Sequence, residues 1–174
     1  MIDEGPVLTG EPDQAGVPTA AVLVVNDREA QRLAIRTMLK PLHLAIVEAD
    51  SGQAALRAVL RQAFAVIVMD VRMPTMDGYE TARLIRQRSR SAVTPIIFAT
   101  AFGRDETETA TAYASGAVDF IFTPIHPDVL RAKISAFVDL FVQSEMLHLS
   151  LEAITNLNAA LSNSEARQRA ILEN

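Results

Sequence analysis

Ala65-Val66-Ile67-Val68-Met69-Asp70-Val71-Arg72-Met73-Pro74-Thr75-Met76-Asp77-Gly78 is the stretch on which the fold turns. Residues 65–69 are apolar without alternation, as a strand covered on both faces requires. Asp70 then stands at the carboxyl end of that strand, where an open α/β sheet presents its reactive groups. Pro74 and Asp77-Gly78 mark a turn, and the helix that follows carries Tyr79, Ala82, Leu84 and Ile85.

The same alternation repeats outward in both directions. Ala20–Val25 reads as a first strand ending at Asn26-Asp27, followed by a helix from about Arg28 to Leu39 that Pro41 closes. Leu44–Glu48 is a second strand, and Asp50-Ser51-Gly52 a turn and cap into a helix carrying Ala55, Leu56, Val59 and Leu60. Pro95–Ala99 is a fourth strand ending at Thr100. A helix over Thr107–Ser115 stops at Gly116, and Val118–Phe122 is a fifth strand followed by Thr123-Pro124. Five such units predict an α/β, flavodoxin-like, doubly wound parallel sheet over residues 19–136. Residues 1–18, rich in Gly and Pro among acidic residues and without apolar period, read as a flexible lead-in.

Composition narrows the function. Of 174 residues 49% are apolar and only 5% aromatic, so the core is expected to be aliphatic. A net charge of −5 without a dense Lys/Arg block argues against a nucleic-acid surface. There are no cysteines, which excludes disulfides and thiolate metal sites. No stretch approaches the ~18 apolar residues of a membrane span, and the acidic start lacks a signal-peptide pattern. A cytoplasmic chain is expected. His43, His126 and His148 are scattered without metal-ligand spacing. With no Ser-His-Asp order and no glycine-rich phosphate loop, no enzymatic activity of its own is expected.

Several spaced elements, in order, resemble the receiver domains of bacterial response regulators over about residues 20–135. Asn26-Asp27 matches the acidic pair after the first strand, and Asp70 with Met73-Pro74 and Asp77-Gly78 the acceptor strand and loop. Thr100-Ala101 matches the hydroxyl residue after the fourth strand, and Gly116-Ala117-Val118-Asp119-Phe120 the lead into the fifth. Thr123-Pro124 stands where Lys-Pro is usual. The resemblance implies Asp70 as phosphoacceptor, Mg²⁺ as cofactor, and a histidine kinase or phosphotransfer protein as partner.

Transfer to a carboxylate sets an anion against an anionic phosphoryl group, so the site must neutralise charge; Mg²⁺ with carboxylates and waters does so. Asp27 and Asp70 supply two carboxylates. By resemblance the backbone carbonyl of Arg72 is a third ligand, and Asn26, through a metal-bound water, brings no charge. Thr123 cannot replace the lysine that holds a phosphoryl oxygen. A carboxylate and an ammonium are thus lost together, leaving the net charge of the empty pocket unchanged but removing a fixed cation. Arg72 is either a substitute cation or a solvated loop residue. Thr100 and Phe120 match the family's switch pair, although Phe120 reads equally as plain core, and Phe102 is placed to shield an acyl phosphate from water.

Beyond Asp128 neither Gly nor Pro recurs, so one long helix is expected. Leu140, Leu147, Ile154 and Leu161 recur every seven residues, with Phe137, Ser144, Leu151 and Asn158 three positions before each. That is the a/d seam of a coiled coil over 137–163, and Asn158 at an a position favours a parallel two-stranded register. The competing reading is an amphipathic helix folded back on the domain. Residues 164–174 resemble the opening helix of a truncated PAS sensory domain, or are a generic helical tail. The expected protein is an atypical receiver, a homodimeric input to an output domain in a longer chain, with phosphorylation of Asp70 weak or uncoupled. The alternative is a working phosphoacceptor charged with Mg²⁺ despite Thr123.

Overall fold

The computed structural model describes residues 20–100 and 119–172. The lead-in over 1–18, the helix expected over 107–115, Phe102, Ala101 and the approach over 116–118 lie outside the described residues. Five strands, β1 (Ala21–Val25), β2 (Ala45–Ala49), β3 (Val66–Asp70), β4 (Ile96–Thr100) and β5 (Asp119–Phe122), form one parallel sheet in the order β2-β1-β3-β4-β5. The chain steps one way from β1 to β2 and the other way to β3. The crevice between the ends of β1 and β3 is therefore the switch point at which such sheets bind ligands.

Alternate side chains of the strands feed two separate cores. Leu23, Val25, Ile67, Met69, Ile96 and Phe98 pack on one face with α2 (Gly52–Arg61) and α3 (Gly78–Arg86). Val22, Val24, Val66, Val68 and Ile97 pack on the other with Ile35 and Leu39 of α1 (Glu29–Leu39) and Leu130 and Ile134 of α4 (Pro127–Leu172). Burial of each such aliphatic side chain contributes about 1.5–3 kcal/mol, so both cores hold β1 and β3, and hence the crevice, in place.

Element ends differ from the sequence expectation by one residue. β2, β3 and β4 extend to Ala49, Asp70 and Thr100 because these residues still pair, with Val25, Ala99 and Phe122. Arg28 is not helical: its extended backbone caps α1. Pro41 sits in a 3₁₀ turn over Lys40–Leu42, which left-handed His43 ends. The expected cap at Ser51 forms, accepting from the Ala54 N–H at 3.3 Å, and Asp77, read as a turn residue, also caps a helix by accepting from the Glu80 N–H at 2.7 Å.

α4 is a single helix of 46 residues. It does not fold back: side chains from 143 to 169 are exposed. Phe137, assigned to the seam by periodicity, is half-buried and packs against its own receiver core together with Val138. Leu140, Leu147, Leu151, Ile154 and Leu161 are exposed.

Candidate functional site

Two connections meet at the switch point. Asn26 and Asp27 leave β1, Asp70 ends β3, and Arg72–Asp77 lead into α3. Asn26 is buried, and its amide Nδ2 donates to Asp70 Oδ2 at 3.2 Å and to Gln31 Oε1 at 2.6 Å. Its Oδ1 accepts from the Arg28 N–H at 2.8 Å, and its carbonyl accepts from Arg32 Nη1 at 2.7 Å. Arg32 is in turn paired with Glu48, which also meets Arg36. The other Asp70 oxygen accepts from the Arg72 N–H at 3.3 Å.

Burial pushes the Asp70 carboxyl above its ordinary range. The N–H groups of Arg72 and Val71 oppose that shift, the Asp27 charge adds to it, and Arg28 lowers it again. Asp70 with the Asp27 charge close enough to be felt, beside a backbone turn, fits a divalent oxygen-seeking cation. Among the described residues no third acidic or imidazole group joins them. Asp27 and Asp70 are thus the carboxylates that could hold a divalent cation, with water completing the shell.

Thr100 is buried at the end of β4, and its carbonyl accepts from the Thr123 N–H at 2.9 Å. Thr123 itself is exposed. Phe120 is half-buried against the core, its ring 6.0 Å from Phe98 and stacked at 6.4 Å on exposed Phe122. Asn26, Asp70 and Arg72 therefore share direct contacts, while Thr100 and Thr123 meet one strand away. The seam residues Leu140, Leu147, Leu151, Ile154, Asn158 and Leu161 lie on the projecting part of α4, apart from this site.

Two contributors escaped the sequence reading. Gln31 reads as one more polar residue in a first helical turn, yet it grips Asn26. Gly78 reads as a helix start, yet a Cβ there would lie 2.3 Å from the Asp70 carbonyl oxygen and 2.9 Å from Val71 Cα. The Gly78 N–H donates to the Val71 carbonyl at 2.9 Å, so α3 begins directly against the acceptor strand. Between them Thr75 takes a left-handed φ of 71°, with the Met76 N–H reaching the Pro74 carbonyl at 2.7 Å. A β-branched residue there stores strain of about 1–3 kcal/mol beside the acceptor.

A doubly wound β2-β1-β3-β4-β5 sheet with an aspartate at the end of its central strand defines a signal receiver. The chain belongs to the response regulator receiver domain family, which matches residues 22–135. It is 35% identical over 114 residues to the transcriptional regulatory protein SrrA of Staphylococcus aureus, covering 64% of this chain and 46% of that protein. The chain thus spans about half the length of the curated relatives it matches. Among solved structures, the chemotaxis response regulator CheY4 of Vibrio cholerae superposes with a TM-score of 0.64 at 28% identity, over 69% of this chain and 99% of that one. The receiver domain of the sensor histidine kinase PA1611 from Pseudomonas aeruginosa, solved with magnesium coordinated in its active-site cleft, gives 0.64 at 26% identity, over 70% and 99%. The beryllofluoride-activated DrrB receiver gives 0.61 at 25%, over 70% and 99%. Receiver domains are signalling modules of two-component systems and typically bind Mg²⁺. No helix among the described residues is long and apolar enough to cross a membrane.

Proposed function

We propose that this chain is an atypical receiver that works as a dimerising regulatory input, with Asp70 a phosphoacceptor of low efficiency or weak coupling. The observation that carries the reading is that Asp70 rests on a neutral amide, with exposed Thr123 at the position of the family lysine. Mg²⁺ held by Asp27, Asp70 and the Arg72 carbonyl would neutralise the incoming phosphoryl group. Nothing at Thr123 then fixes the phosphorylated state, which weakens the pull on Thr100 and Phe120.

The dimer is supported by α4. An isolated helix projecting with exposed Leu140, Leu147, Leu151, Ile154 and Leu161 is marginal in water, and its stability comes from packing an apolar face. A heptad spacing with Asn158 at an a position selects a second copy, parallel and in register, as that partner. Titration with Mg²⁺ and beryllofluoride, followed by NMR at Asp70, Thr100 and Phe120, tests the site. Weak shifts confined to the neighbourhood of Asp70 are expected, abolished in Asp70→Asn. Saturable shifts reaching Phe120 would instead establish a working phosphoacceptor charged by a histidine kinase or phosphotransfer partner.

A further inference from the structure

Asn26 is 2% exposed, and every polar group it carries is engaged. Its backbone N–H donates to the Ala49 carbonyl at 3.1 Å and its carbonyl is taken by Arg32. The sense of its side-chain amide is forced at both ends. The Arg28 N–H can only donate, so it fixes Oδ1; an ionised Asp70 can only accept, so it fixes Nδ2. Gln31 takes the remaining amide hydrogen at 2.6 Å, the shorter of the two contacts. A glutamine three residues into a helix ordinarily reaches back to the N-cap N–H. Here Asn26 already holds that N–H, and Gln31 accepts from Asn26 instead.

This orientation is the wrong one for a metal-bound water. Water on Mg²⁺ donates its protons outward and needs an acceptor, whereas the face that Asn26 shows to Asp70 is a donor. We propose that Gln31 is a positioning residue that adds to the Arg28 N–H in holding the Asn26 amide in its donor sense. Asp70 Oδ2 is thereby engaged by a neutral hydrogen bond, and a divalent cation binds fully only once that amide turns. Gln31 thus lowers the metal affinity of the resting receiver by the worth of its contact with Asn26. The inference rests on the reading of Asp70 as a metal-bearing acceptor.

The test is Mg²⁺ titration of the whole chain by NMR for wild type, Gln31→Met, Asn26→Asp and the double variant. Gln31→Met, which keeps length and removes the acceptor, should tighten Mg²⁺ binding about fivefold, the worth of one neutral hydrogen bond. The same change on Asn26→Asp should alter affinity less than about twofold, since the amide it acts through is gone. Gln31→Glu keeps an acceptor and should retain the wild-type Asn26 side-chain amide signals, which Gln31→Met shifts. A wild type that binds Mg²⁺ with an affinity unmoved by Gln31→Met would overturn this inference alone. So would an equally large effect on Asn26→Asp. Absence of Mg²⁺ binding at millimolar concentration in all four proteins would overturn the metal reading of Asp70 and this inference with it.

Discussion

Replacing both Leu147 and Ile154 with lysine should convert the proposed dimer to a monomer. These side chains are 61% and 55% exposed in the single chain. Full burial of a leucine or isoleucine contributes about 1.5–3 kcal/mol, so covering the exposed part yields about 1–1.5 kcal/mol for each. Two positions in each of two chains give roughly 4–6 kcal/mol of association energy lost, before the repulsion between facing lysines. At about 1.4 kcal/mol per tenfold, the dimer dissociation constant should rise about 10³- to 10⁴-fold. Sedimentation equilibrium across a wide concentration range reads this directly, with circular dichroism to confirm that the receiver remains folded. A double variant that associates as tightly as wild type would refute the seam. So would a wild type that stays monomeric at tens of micromolar.

Thr123→Lys restores an ammonium beside Thr100. A charge-assisted contact is worth about 1.5–3 kcal/mol, so beryllofluoride affinity in Mg²⁺ should tighten at least about tenfold; an unchanged titration would show that the lysine's absence is not the defect. Asp70 has a raised folded pKa, so its contribution to stability is full below the ordinary aspartate value and is lost as pH rises through the folded value. In chelator, Asp70→Asn should therefore melt above wild type at pH 7, with the gap closing as pH falls through the raised folded value and gone by about pH 4; a pH-independent gap would contradict this. Gly78→Ala drives a methyl against the Asp70 backbone and should cost about 1–3 kcal/mol in urea unfolding, together with displaced Asp70 and Val71 amide shifts. Unaltered stability would mean the loop yields freely.

The fold was legible because β1 and β3 are buried on both faces, which leaves unbroken apolar runs that end in polar residues at the crevice. Strand ends slipped by one because the polar residue that marks the end chemically still belongs to the ladder, as Asp70 and Thr100 do. The placement of Asn26, Asp70 and Thr123 at or directly after strand ends was equally legible. What they do to one another was not. Which end of the Asn26 amide faces Asp70 depends on a backbone N–H two residues on and on a helical side chain, and neither has a spacing signature. The role of Gly78 depends on how closely α3 abuts β3, a packing distance that no local pattern encodes. Phe137 shows the converse: its heptad position is correct by spacing, but the receiver's own core reaches it first.

α4 is also a lever. Its base is clamped by Leu130 and Ile134 among strand residues that include Val24 and Val68, which stand two residues before Asn26 and Asp70. At 1.5 Å per residue, the stretch from Ile134 to residue 172 reaches about 57 Å from that clamp. A tilt of about 5° at the base would carry the far end through roughly 5 Å, several times the adjustment that caused it. Repacking too slight to alter the sheet visibly would therefore arrive at residue 172 as a displacement close to one helical turn. Rigidity of the rod, rather than the size of any change at Asp70, then sets how faithfully a signal travels.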